Sequence, residues 1–227
     1  DSNAYSPSYP SNGSLVLNQL SNGWHTVRIL VQDAAGNSIF SNHQFGIDRI
    51  APVTNLSSLQ AGGWTNMEQQ IITWSASDNL AGSGIILAQL IINSGEPVNI
   101  STTGLRFLNL STGVHHVQLR FQDLAGNLQI NSLTFRIDTS IPSSQCSIQP
   151  TDWTNGLLHL DIVPNANGSI SPFYWALYVN GVEDTTANIG GNSYNLPNGN
   201  HVFNLATWNA AGGQSSCQVI GSVDKSK

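Results

Sequence analysis

Three histidines, His25, His115 and His201, are each followed eight residues later by a side chain bearing a carboxylate or an amide: Asp33, Asp123 and Asn209. His and Asp at a repeated spacing are residue types that ligate a metal or relay protons. The runs Asp33-Ala-Ala-Gly36-Asn37 and Asp123-Leu-Ala-Gly126-Asn127 add an Asp and an Asn around a Gly, part of what a calcium loop offers. Both chemistries want more ligands than this spacing supplies. A hard cation takes about six to eight oxygens, and only the second copy carries an adjacent histidine, His116. The third copy keeps His201 and Gly212 but replaces the carboxylate with Asn209. A hairpin turn accounts for the same residues, because Asp accepts hydrogen bonds from the amides ahead of it and Gly takes positive φ. Asp33, Gly36, Asn37, Asp123, Gly126 and Asn127 are therefore expected to form structural turns, and the histidines to serve the fold.

The elements around these residues repeat. Residues 20–48, 110–138 and 196–224 align, with the histidines 90 and 86 residues apart. A second signature, Gly-Trp-Thr-Asn at 63–66 and Asp-Trp-Thr-Asn at 152–155, precedes the latter two copies. The unit is thus about 85 to 90 residues. Its boundaries are expected at Ala51-Pro52 and Ile141-Pro142, where proline ends a strand, dividing the chain into 1–50, 51–140 and 141–227. Within a unit the apolar period is two: Val27, Ile29 and Val31 alternate with Arg28, Leu30 and Gln32, and Val117, Leu119 and Phe121 repeat the pattern. Short alternating strands with Gly, Asn and Ser turns predict an all-β chain of tandem antiparallel β-sandwiches without helix. The first unit has only the later strands, expected at about 14–19, 25–32 and 42–48. Three strands facing no second sheet are poorly stable alone, so either the chain is a fragment of a longer array or another chain completes this unit.

Composition narrows function. The chain has 227 residues, a net charge of −6 and 9% charged residues; its only two lysines, Lys225 and Lys227, are at the end. Without a basic cluster no nucleic-acid partner is expected. No apolar run reaches the roughly 18 residues that span a bilayer, and no signal peptide is evident. The 40% hydrophobic content and six Trp indicate packed cores.

The motif G-x-H-x-V, then D-x-A-G-N, then F-x-I-D before Pro is carried by Gly23, His25, Val27, Asp33, Ala35, Gly36, Asn37, Phe45, Ile47, Asp48 and Pro52. It returns in Gly113, His115, Asp123, Ala125, Gly126, Asn127, Phe135, Ile137, Asp138 and Pro142. It resembles the bacterial and archaeal immunoglobulin-like, fibronectin type III-like modules of surface proteins and large adhesins. The resemblance covers nearly the whole chain. The third copy departs from it at Asn209 and Gly213. The resemblance implies immunoglobulin-like sandwiches, with each histidine where such modules carry a corner tyrosine that bonds back to the backbone. It also implies that acidic residues at module junctions bind calcium. Asp48 and Asp138 stand at those positions, with Asp78 and Asp152 as candidate neighbouring ligands, and no other cofactor is expected. Cys146 and Cys217, in the first and last strands of the third unit, are expected to form a disulfide. That bridge suits an oxidising, extracellular setting. Trp64, Trp74, Trp153 and Trp175 are expected in cores and Trp24 at the surface. Asn12, Asn55, Asn99, Asn109 and Asn167 begin glycosylation sequons.

The function expected is a non-enzymatic extracellular or cell-surface array, structural or adhesive: a stalk, adhesin or surface-layer segment. Its partners would be neighbouring modules or identical subunits, and host or surface glycans or proteins. The alternatives are a self-assembling filament subunit completed by strand exchange, and a carbohydrate-binding module of a secreted protein.

Overall fold

In the computed structural model, which describes residues 13, 14 and 16–226, every regular element is a strand. There are seventeen among the described residues, and no helix is long and apolar enough to cross a membrane. The chain forms two compact units. One is drawn from residues up to Ser57, Thr73–Leu105 and Val117–Ser132. The other comprises Ser58–Ile72, Arg106–His116 and Leu133–Lys227.

The first unit opens with β1 (Gly23–Gln32) and β2 (Ser38–Ile47), a two-stranded antiparallel sheet in which His25 faces Phe45 and Val31 faces Ile39. Among the described residues no second sheet covers the pair. Ile29 and Val31 are 57% and 60% exposed, whereas Leu119 and Phe121, at the same steps of the second copy, are fully buried. The strand expected near 14–19 is not formed by the described residues there. Its counterpart in the second copy, β8, is held by a ladder to β5, and no described residue offers the first copy such a partner.

After β3 (Val53–Ser57) and β4 (Trp64–Thr65) come β5 (Gln69–Ser77), β6 (Ile85–Ile92), β7 (Val98–Asn99), β8 (Thr103–Asn109), β9 (Gly113–Asp123) and β10 (Leu128–Ile137). They make a three-stranded sheet, β3-β5-β8, and a five-stranded sheet, β4-β10-β9-β6-β7. Burial alternates along β5 and β9 as the sequence alternation dictates, putting Ile72, Trp74, Val117, Leu119 and Phe121 inside. Each such side chain contributes about 1.5–3 kcal/mol by leaving water. Trp74 lies over Gly104, where any Cβ would sit 2.5 Å from its ring.

The second unit continues with β11 (Ser143–Gln149), β12 (Leu158–Asn165), β13 (Phe173–Val179), β14 (Val182–Glu183), β15 (Gly190–Tyr194), β16 (Gly199–Asn209) and β17 (Gln214–Val223). These form the sheets β11-β12-β15 and β14-β13-β16-β17. Ile148, Leu158, Leu160 and Ile162 from one pack with Leu177, Phe203, Leu205 and Val223 from the other, making a sandwich core. Cys146 of β11 and Cys217 of β17 are bridged across that core edge, with Cα atoms 6.0 Å apart.

The Trp-Thr-Asn signature is an edge element. Thr65 pairs parallel with Ile137, and Thr154 with Val223. Each threonine hydroxyl accepts the amide two residues on, from Met67 or Gly156. Trp64 is half-buried and Trp175 packs against the last core, but Trp153 is 60% exposed. Trp153 is thus not the core anchor expected. The repeated feature at this position is the threonine bridge, which leaves the neighbouring ring free to face water.

Candidate functional site

The three histidines are buried and make one bond in common. Nε2–H of His25, His115 and His201 donates to the carbonyl four residues upstream, in Ser21, Ser111 and Pro197, at 2.8, 2.7 and 2.9 Å. At His201 the Asn180 amide also donates to Nδ1 at 3.0 Å.

The turns eight residues on also share a frame. Asp33 and Asp123 each accept the amide of the Asn four residues ahead at 2.8 Å and its side-chain NH2 at 2.8 Å. Gly36, Gly126 and Gly212 have φ of 92°, 96° and 95°, the left-handed region that glycine enters without cost.

Two acidic sites stand where a last strand ends and the next segment begins. In the first, Asp48 follows β2, Asp78 follows β5 and Asp123 closes β9; their carboxylate oxygens lie within 4.8 Å of one another. Asp48 accepts Ser83 N–H at 2.8 Å, Ile50 N–H at 3.1 Å and the Asn79 amide at 3.3 Å. The Ser83 and Ile50 amides hold its pKa down to about 2. Asp78 accepts Gly84 N–H at 2.6 Å, and its carboxylate occupies the space a Cβ on Gly82 would need. Asp123 is fully buried, and Asn127 spans from its carboxylate to the carbonyl of Asp48. Three carboxylate oxygens this close supply part of the roughly six to eight oxygen donors that a hard cation takes.

The second site has the same scaffold and a different charge. Asp138, fully buried after β10, accepts the Ser169 and Ser171 hydroxyls at 2.5 and 2.7 Å. It also accepts the amides of Ser140, Ser171 and Ile170 at 3.0, 2.9 and 3.1 Å. Burial pushes its pKa up, but these bonds, led by the Ser169 and Ser171 hydroxyls, outweigh burial and hold it well below the usual carboxylate range. Asn209 stands at the step of Asp123 and turns its amide toward the Ser140 carbonyl (2.9 Å) and Asp138 (3.4 Å). Gly213 stands where Asn127 would be, because a Cβ there would meet the Ser140 carbonyl at 2.5 Å. The two departures of the third copy are therefore one coupled exchange: the amide donor moves from the end of the turn to its start.

Asp152 is exposed and joins no cluster of three metal-ligating groups among the described residues. In the sequence Asp123 shows only its turn; its place beside Asp48 and Asp78 comes from the fold. Asn55, Asn99, Asn109 and Asn167 are exposed, and Asn12 lies outside the described residues.

No family model matches the chain, and no curated protein does. Solved structures do. The chain is similar to the fibronectin(III)-like modules of Clostridium thermocellum CbhA, at 11% identity and TM-score 0.40, over 76% of this chain and 94% of that one. It is similar to a tetra-tandem repeat in the extending region of a large adhesion protein, at 20% identity and TM-score 0.36, over 91% of this chain and 58% of that one. A third similarity is to a structure of a 1.5-MDa bacterial ice-binding adhesin concerned with host cell surface retention. There the identity is 15% and the TM-score 0.30, over 90% of this chain and 75% of that one.

Proposed function

We propose that the chain is a non-enzymatic extracellular array of three immunoglobulin-like units, 1–50, 51–140 and 141–227, acting as a structural or adhesive spacer at a cell surface. The observation that carries this is a junction device built twice. Asp48 and Asp138 each follow the last strand of one repeat and bond a loop of the next, between β5 and β6 at Ser83 in one case and between β12 and β13 at Ser169, Ile170 and Ser171 in the other. A side chain that fixes the start of one repeat to the end of another serves an array more directly than it serves catalysis. The Cys146–Cys217 bridge supports an oxidising compartment.

At the first junction we assign Asp48, Asp78 and Asp123 as calcium ligands, since a divalent cation offsets the mutual repulsion of three carboxylates so close together. Asp138 has hydroxyl and amide donors in that place and needs no ion. Melting in EDTA is expected to fall and to recover with added calcium, and Asp78→Asn is expected to abolish the difference. An unchanged melting temperature in EDTA would remove calcium from the account.

The open face of β1 and β2 favours a second account, a filament subunit whose first unit is completed by another chain. Light scattering separates the two. The array is expected to give the monomer mass of 24.3 kDa at micromolar concentration, whereas concentration-dependent multiples would favour the filament.

A further inference from the structure

We infer that the outward face of the sheet β14-β13-β16-β17 is a binding surface for a neutral polysaccharide. Its core side is fixed by the cross-strand row Leu177, Leu205, Cys217, so the residues of the other parity lie on the opposite face, where Tyr174, Trp208 and Gln214 are exposed and Ala176 is buried. Three outward rows result. Tyr174, Trp208 and Gln214 form one row, and Tyr178, Asn204 and Gln218 form another about 13 Å along the strands. The row between them is of small side chains: Ala176, which is buried, Ala206 and Ser216. Tyr174 and Trp208 lie 6.1 Å apart at 26°, 48% and 38% exposed.

A ring pair beside Gln214, a second row of Tyr178 with two amides and small side chains between them match the two faces of a sugar chain. The C–H face of a pyranose packs on an aromatic ring, and Asn or Gln, being both donor and acceptor, matches hydroxyls that are also both. Charge agrees: Glu183, on the short edge strand opposite Tyr178, is the only Asp, Glu, Lys or Arg in the four strands. An ionic partner would find nothing to pair with across most of this face.

The fold does not demand the rings. At the step of Trp208 the other copies carry Gln32 and Gln122, and in the second copy Leu87 faces Gln122 as Tyr174 faces Trp208. Arg120 stands there at the step of Ala206. The same sheet face is built without an aromatic pair and with a charge, so Tyr174 and Trp208 answer to something other than sheet stability.

This surface rests on the array account only in needing an extracellular glycan, and mass and glycan binding are read separately, so either can fail alone. The test is affinity electrophoresis of the full chain through gels containing hydroxyethyl cellulose, xylan, galactomannan or a β-1,3-glucan, with heparin as the charged control. At least one neutral polymer is expected to retard the protein. Trp208→Gln, which installs the residue of the other copies, is expected to weaken retardation at least about tenfold with the melting temperature kept; Trp24→Ala is expected to leave it intact. Tyr174→Leu gives a second reading should Trp208→Gln unfold. No retardation by any neutral polymer, retardation by heparin alone, or full retardation of both folded variants would overturn the assignment. So would a self-association that Trp208→Gln abolishes, since the face would then be an interface between copies.

Discussion

Asp123 and Asn209 occupy the same step of the repeat, and one atom of difference sets the chemistry of each junction. An oxygen at that step adds a third carboxylate to Asp48 and Asp78; a nitrogen donates toward Asp138 and the Ser140 carbonyl. The consequence at Asp138 is a dependence on pH. Its folded pKa is depressed, so the stability it supplies is present in full above the ordinary carboxylate pKa of about 4 and is lost as pH falls toward the folded value. Asp138→Asn keeps the shape but leaves the Ser171 and Ile170 amides facing a poorer acceptor. It is expected to cost about 2–3 kcal/mol at pH 7 and much less at pH 2. Urea denaturation of both proteins across that range is the measurement, and parallel curves would show that Asp138 does not carry the acid sensitivity.

At the scale of elements, the alternation of Val117, Leu119 and Phe121 was enough to make β9 a strand with a buried face, because a side chain's face follows from its parity once a partner strand exists. The same alternation in Val27, Ile29 and Val31 was read equally well as a strand, yet its burial was not legible. Burial belongs to the opposing sheet, and no described strand opposes β1 and β2. The segment near 14–19 differs for a related reason: a strand is a property of two sequences, and no described residue pairs with this one. Trp153 shows the opposite error. Its recurrence suggested a buried ring, while the repeated contact was the parallel backbone bridge at Thr154. The acidic cluster was half legible. Asp48 stands at a repeat boundary with Asp78 as a candidate neighbour, but Asp123 has a local explanation as a turn residue, and local satisfaction hides its second set of neighbours. The aromatic face escaped altogether, since Tyr174 and Trp208 are 34 positions apart in sequence and meet only through the β13–β16 register.

For the whole molecule, an array that carries load should show its units one at a time. A proposed unit of about 87 residues, once unfolded, releases roughly 300 Å of chain. The unit 51–140 has no internal crosslink and should give that full length. The unit 141–227 is tied at Cys146 and Cys217, which shields 71 residues from extension and leaves about 16 to lengthen. That is close to what the folded sandwich already spans, so its step should nearly vanish. The hairpin of β1 and β2, with an open face and one ladder, should yield without a resolvable peak. Pulled from its ends in an atomic force microscope, the oxidised chain is expected to show one long step and the reduced chain two. The second reduced step should also come at lower force, because breaking the bridge removes about 4 kcal/mol of stability in the chain-entropy account. Two full steps in the oxidised chain would refute the boundary at residue 141, and no full step in either state would refute independent load-bearing units altogether.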